Sequence, residues 1–245
     1  MKALLLAAGT GSRLRPLTYS IPKCLVEIAG KPLLGHWLDL LVQGGVTKFL
    51  VNLHYLPEQV ESYLASHPSA HLIKTTFEAQ LLGTGGTLLH HQQFFENDTT
   101  LLVHADNASL FEFSSFVTAH DHRPPHCPIT MMTFASDCPQ SCGIVEVDKQ
   151  GIVQKFFEKV RHPPGNLANG AVYMIEPEIF PLLKSFARPD IDFSCEVLPR
   201  LLGKIFTFFN DVYHRDIGTP ESLHCARREF PPLLIKHYQR GHQEL

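Results

Sequence analysis

Apolar positions along the chain follow two rhythms. Residues 3–8 form a continuous apolar run that stops at Gly9, and 48–54, 72–77 and 100–104 are short runs of similar length. Runs this short, bounded by turn residues, predict buried strands. Between them the apolar positions recur at helical spacing. Leu33, Leu34, Trp37, Leu38 and Leu41 precede a Gly44-Gly45 stop, 57–66 opens on a proline, and 83–95 and 110–120 are further helical segments. Strands alternating with helices predict βαβ units and a mostly parallel sheet. The rhythm changes after residue 125. A strand is expected over 128–135 and a hairpin from 143–148 and 152–158 about Lys149-Gln150-Gly151. A strand at 168–175, helices at 177–186 and 193–202, and short strands at 204–209 and 212–214 follow. Residues 216–220 read as a turn, and 220–230 as a last helix capped by Thr219. The pattern reads as one domain over 1–230, with halves 1–125 and 126–230. Residues 231–245 read as a C-terminal tail, whose polar part, 235–245, is expected to be frayed or helical at the surface. No internal repeat is visible, including the hexapeptide kind, so the chain reads as a minimal unit.

Composition narrows the function without naming it. With 245 residues, 44% apolar and 18% charged, the chain is an ordinary ordered globular protein. A net charge of −3 excludes a general basic field for nucleic acid, so any polyanion must be handled locally. No apolar stretch approaches the roughly 18 residues of a membrane span. The start, MKALLLAAG, is too short for a signal core and reads as the first strand. The expectation is a cytoplasmic protein that binds neither membrane nor nucleic acid. Six cysteines include no C-x-x-C pair, which points to reduced thiols rather than zinc. Among fifteen histidines, His90-His91 and His120-x-His122 read as solvated helix residues.

The sharpest chemistry sits directly after the first strand. Gly9-Thr10-Gly11-Ser12 leads into Arg13 and Arg15, and Lys23 follows behind Pro22. Glycines let backbone N–H groups approach an anion closely, and fixed cations neutralise it. This is the composition of a triphosphate cradle. Asp106 follows the apolar run 100–104, so both features fall at the carboxyl ends of strands, where parallel sheets bind ligands.

These residues also carry a family resemblance. Gly9-Thr-Gly11-Ser-Arg13-Leu-Arg15-Pro-Leu-Thr18, then Pro22-Lys23 and Gly30-Lys31-Pro32, resembles the signature of the sugar-1-phosphate nucleotidyltransferases. The resemblance runs over roughly residues 1 to 225. It implies a Rossmann-like, GT-A-type α/β three-layer sandwich, with a mostly parallel central mixed sheet and a smaller sugar-binding β subregion. It also implies a nucleotide subsite from Ala8, Gly9, Gly11, Ser12, Arg13, Glu78, Gly83, Thr84 and Gly85. Arg13 would hold the β- and γ-phosphates, and Lys23 would sit at the α-phosphate. Asp106 and Asp216 would hold Mg2+, with Arg13, Lys23 and Asp106 as the catalytic set. Gly143, Glu158, Lys159 and Asn169 would bind the sugar phosphate. The chain departs from the pattern at Ala105, where many relatives have glycine before the aspartate.

Substrate choice is less sharply written. A carboxylate at Glu78 only accepts hydrogen bonds, which suits guanine N1–H and N2–H2 better than the single N3–H of uracil or thymine. The expectation is GMP transfer from GTP to mannose-1-phosphate or a manno-heptose-1-phosphate, by a monomer or homo-oligomer. Uridylyl or thymidylyl transfer to another sugar-1-phosphate remains open. So do a glycosyltransferase, which would more often carry a D-x-D pair, and a non-catalytic subunit that binds nucleotide sugars.

Overall fold

The chain, a computed structural model, is described over residues 1–95 and 98–241. The first half begins with β1 (Lys2–Leu6), the two-residue strands β2 (Glu27–Ile28) and β3 (Lys31–Pro32), and α1 (Leu33–Gln43). It continues through β4 (Lys48–Leu53), α2 (Pro57–Ser66), β5 (Ile73–Phe77), α3 (Gly83–His90), α4 (Gln92–Phe95), β6 (Thr100–His104), β7 (Asn107–Leu110) and α5 (Phe113–Asp121). The second half holds β8 (Ile129–Ala135), β9 (Gly143–Val147), β10 (Val153–Glu158), β11 (Leu167–Ile175), α6 (Ile179–Lys184), β12 (Ile205–Phe209), β13 (Tyr213–Asp216) and α7 (Pro220–Gly241).

Alternation within β1 sets the layers. Ala3 and Leu5 pack with Leu34, Trp37, Leu38 and Leu41 of α1 and with α2 and α5. Leu4 and Leu6 face the other way, onto Leu88 of α3, Ile179 and Leu183 of α6, and Phe193. Successive side chains of a strand point to opposite faces, so one fully apolar strand feeds two cores. The result is a three-layer α/β sandwich. Its nine-stranded sheet runs β10-β9-β11-β6-β1-β4-β5, with β8 on β11 and β12 on β8. The pairs among β6, β1, β4 and β5 are parallel. The sheet turns antiparallel at β11, which pairs with β6 on one side and with β8 and β9 on the other. A single strand therefore joins the two halves of the chain.

Several expected elements differ, each for a long-range reason. The segment read as a helix from 110 starts instead with β7, because Asn107–Leu110 pairs with β13 and is buried throughout. Asp216 accordingly ends a strand rather than opening a turn. The helix expected over 83–95 breaks at His91 into α3 and α4. Residues 193–202 form a π-helical turn, Phe193–Val197, and then a 3-10 turn, Leu198–Leu201. The last helix runs through Pro231 and Pro232 to Gly241. Lost backbone hydrogen bonds usually end a helix at proline, but Phe230, Leu233 and Leu234 pack on the cluster of Val26, Ile28 and Leu33 and carry it on. The Thr219 cap holds, with its Oγ1 accepting from Ser222 N–H at 3.2 Å. Residues 242–245 of the expected tail lie outside the described residues. No described helix is long and apolar enough to cross a membrane.

Candidate active site

The glycine loop leaves β1 over the carboxyl edge of the sheet. Asn52, buried at the end of β4, accepts a hydrogen bond from Ala7 N–H at 2.9 Å. Past this tether, the N–H groups of Ala8, Gly9, Thr10, Gly11 and Ser12 make no hydrogen bond within the described residues. Gly11 has φ +60°, and a Cβ there would meet Thr18 Cγ2 at 2.9 Å. Thr18 Oγ1 instead donates to the Gly11 carbonyl at 2.8 Å, so the turn is fixed by a residue seven positions on. A row of unspent donors on a fixed turn suits an anion.

Beside the loop lies a compact charge cluster. Lys23 opens the 3-10 turn Lys23–Leu25, and its side chain is only 7% exposed. Its Nζ donates to Asp106 Oδ2 at 2.9 Å and to Asp216 Oδ1 at 2.6 Å. Arg13 Nη2 donates to the other Asp216 oxygen at 3.2 Å. The antiparallel ladder of β7 and β13 sets Asp216 opposite Asn107, which brings together two aspartates far apart in sequence. Gly218 leaves room for the guanidinium, since a Cβ there would lie 2.7 Å from Arg13 Nη2. Burial works to lower the Lys23 pKa, but the Asp106 and Asp216 carboxylates outweigh it and hold it above the ordinary value. Burial works to raise Asp216, and Lys23 and Arg13 outweigh it in turn. Ala105 fits its place by full burial, with its N–H on the Leu6 carbonyl at 3.1 Å.

On one side of this cluster is a cavity of about 200 Å³ lined by Ala8, Gly9, Asn52, Glu78, Thr84 and Asp106, among others. Glu78 is not the free strand-end acceptor its sequence context suggests. It is buried, and its carboxylate accepts from Asn52 Nδ2 at 3.0 Å, Thr87 Oγ1 at 2.6 Å and Leu82 N–H at 3.1 Å. The following glycines serve a close chain approach. Gly85 and Gly86 N–H groups both donate to the Ile191 carbonyl, and a Cβ on Gly83 would lie 2.5 Å from that oxygen. Thr84 Oγ1 accepts from Phe193 N–H at 2.8 Å.

The expected sugar-phosphate residues gather on the hairpin and β11. Gly143 pairs with Glu158, and a Cβ on the glycine would meet Glu158 Oε2 at 2.7 Å. Lys159 has φ +48° and bonds Glu158 Oε1 at 3.0 Å, a contact that raises its pKa against partial burial and the nearby charge of Arg13. Asn169 is engaged at both ends. Its Nδ2 donates to the Tyr173 hydroxyl at 2.6 Å, and its Oδ1 accepts from Ala171 N–H at 2.9 Å across the irregularity in β11. A larger cavity of about 580 Å³ opens beside Arg13 and Asp216, walled by Ser136, Cys142, Asn210 and Ser222. It contains none of the four expected sugar residues.

Sequence reasoning missed several contributors. Asn52 links the glycine loop to Glu78, yet sits inside a strand that reads simply as apolar. His104 and His214 lie half-buried beside the aspartates, and burial pushes His214 down to about 4. His120 is no solvated residue. Its ring bonds Thr130 Oγ1 and Glu176 Oε1, each at 2.8 Å. The helical hydrophobic pattern places it on the inner face of α5, a signal available in the sequence.

The profile of the nucleotidyl transferase family matches residues 2–231. Mannose-1-phosphate guanyltransferase 2 of Candida glabrata is 28% identical over 100% of this chain and 67% of its own length. The mannose-1-phosphate guanylyltransferase of Mycobacterium tuberculosis is 30% identical over 90% of this chain and 62% of its own. The chain thus spans about two thirds of the length of these relatives. In three dimensions, HddC from Yersinia pseudotuberculosis complexed with GMP-PN superimposes with a TM-score of 0.77 at 23% identity, covering 94% of this chain and 99% of that one. A sequence match that begins in β1 and continues into α7 makes the chain a member of the nucleotidyl transferase family.

Proposed function

We infer that the protein transfers a nucleoside monophosphate from a nucleoside triphosphate to a sugar-1-phosphate, giving a nucleotide sugar and pyrophosphate. The convergence of Arg13, Lys23, Asp106 and Asp216 beside a loop of unspent N–H donors carries the reading. The reaction brings two polyanions together and needs little covalent help from the protein, so charge neutralisation and alignment supply most of the rate. The N–H groups of Ala8 to Ser12, with Arg13, take the β- and γ-phosphates. Lys23 Nζ meets the α-phosphate, and Lys159 and Asn169 orient the acceptor. An acceptor phosphate oxygen attacks the α-phosphorus in line. The new P–O bond forms as the bond to the β-phosphate oxygen breaks, and pyrophosphate leaves with that electron pair.

Asp106 and Asp216 fit Mg2+. The ion takes one or two carboxylates with phosphate oxygens and water, and both aspartates already converge on one cationic position. When bound, it would polarise the α-phosphoryl group and template the acceptor phosphate. GTP with mannose-1-phosphate is the proposed substrate pair, supported by the names of the Candida glabrata and Mycobacterium tuberculosis relatives. Glu78 contributes by tying Asn52, the Leu82 N–H and Thr87 of α3 together beside the smaller cavity. A cytoplasmic setting fits the six free thiols. The test is pyrophosphate release across four nucleoside triphosphates and several sugar-1-phosphates. GTP with mannose-1-phosphate is expected to lead. Equal or better rates with UTP or dTTP pairs would sink the guanylyl assignment, and no release with any pair would sink the reaction class.

A further inference from the structure

We propose that in the substrate-free protein the Lys23 ammonium is the built-in counter-cation of the Asp106–Asp216 pair, so that a divalent cation binds there tightly only as a triphosphate draws the ammonium away. The inference rests on the reading of these aspartates as metal ligands. Two facing carboxylates repel unless a cation lies between them. Here the cation is supplied from within. Nζ contacts one oxygen of each carboxylate at hydrogen-bond distance, and the lysine side chain is far more enclosed than that of Asp216, 7% against 43% exposed. The oxygens it occupies, Asp106 Oδ2 and Asp216 Oδ1, belong to the proposed metal-binding carboxylates. A cation entering alone would leave the enclosed ammonium without a partner, and an unpaired buried charge is costly. A triphosphate removes the obstacle, because an α-phosphate oxygen can accept the Nζ hydrogens in place of the carboxylates.

Arg13 behaves differently. Its contact with Asp216 is exposed, 61% on the arginine side, and such pairs are weak. It turns to the phosphates at little cost, whereas Lys23 is the residue whose release must be coupled to binding. Coupling of this kind is reciprocal: the triphosphate raises affinity for the metal by the factor that the metal raises affinity for the triphosphate.

The experiment is Mn2+ titration of the full chain without nucleotide, followed by the electron paramagnetic resonance signal of free Mn2+. Lys23→Met and Lys23→Gln remove the internal cation and are each expected to tighten binding by about tenfold, within the usual range of coupling between sites. Lys23→Arg keeps the charge and is expected to bind as weakly as the parent. Adding Asp106→Asn to Lys23→Met should erase the gain. Circular dichroism melts check folding, and Lys23→Gln carries the test if Lys23→Met does not fold. If both neutral variants bind no tighter than the parent, while Asp106→Asn alone weakens binding, the counter-cation role is wrong and the metal assignment stands. If Asp106→Asn leaves Mn2+ affinity unchanged in the parent and in Lys23→Met, both fall.

Discussion

Single residues in this protein act mostly through what they leave room for or already hold. Gly218 carries no charge, yet a Cβ there would press on Arg13 Nη2 at 2.7 Å and on Asp216 Oδ2 at 3.0 Å. Gly218→Ala is expected to displace the guanidinium and raise KM for the triphosphate by about tenfold, roughly 1.4 kcal/mol of binding, with the melting temperature nearly unchanged. Steady-state kinetics beside a melt separates the two. His120 makes a pH prediction. Burial, outweighing its bond to Glu176, holds its pKa below the ordinary 6.5. The unfolded chain therefore takes up the proton first. The stabilising contribution is complete above about pH 6.5 and is lost as pH falls below it. Urea midpoints between pH 7.5 and 5 should fall more steeply for the parent than for His120→Gln. The charged residues of the site were legible in the sequence because Arg13, Lys23, Asp106 and Asp216 stand in ordered motifs. Thr18 stands in the same motif, but the roles of Asn52 and Gly218 were not legible, because their partners lie far off in sequence and each residue type is common in turns or strands.

At the scale of elements, long-range contacts overrule local pattern. Helix α3 begins with glycines because the segment ending at Ile191 lies against it, and a Cβ on Gly86 would reach 2.0 Å from the Pro189 carbonyl. Gly86→Ala is expected to push that segment away and weaken the bonds of Gly85 and Gly86 to Ile191, at a cost of about 1–3 kcal/mol. Urea denaturation measures it, and a loss under about 0.5 kcal/mol, the range of a neutral surface change, would show that the contact is not under pressure. Strands β1, β4 and β6 and helix α1 were legible, since apolar runs and helical spacing report burial directly. Strand β7 was not. Its four residues are as compatible with a helix start, and only pairing with β13 decides. The π-helical turn at Phe193–Val197 has no local signature either, and its N-terminal Asp192 cap and the burial of Phe193 and Val197 arise from the assembled core.

For the molecule as a whole, the parallel half and the antiparallel half are one sheet because β11 pairs in both directions. The βαβ units and mostly parallel sheet were readable from element order, and the three-layer arrangement came with the family resemblance. What could not be read is the seam: the β7–β13 ribbon supplies the second aspartate, and the larger cavity lies beside it. That ribbon also sets a timetable. Lys23 and Asp106 belong to the first half of the chain, while Asp216 arrives on the last strand and is held there by α7, where Glu229 accepts a hydrogen bond from Tyr213 and forms an ion pair with Arg215. Contacts so distant in sequence close late in folding, since loop entropy is lost before they reward it. After dilution from urea, the far-ultraviolet signal of the sheet should therefore recover before catalytic activity does. A nascent chain still lacking β13 would hold its lysine against a single carboxylate, and competence would mark the completion of folding rather than its onset.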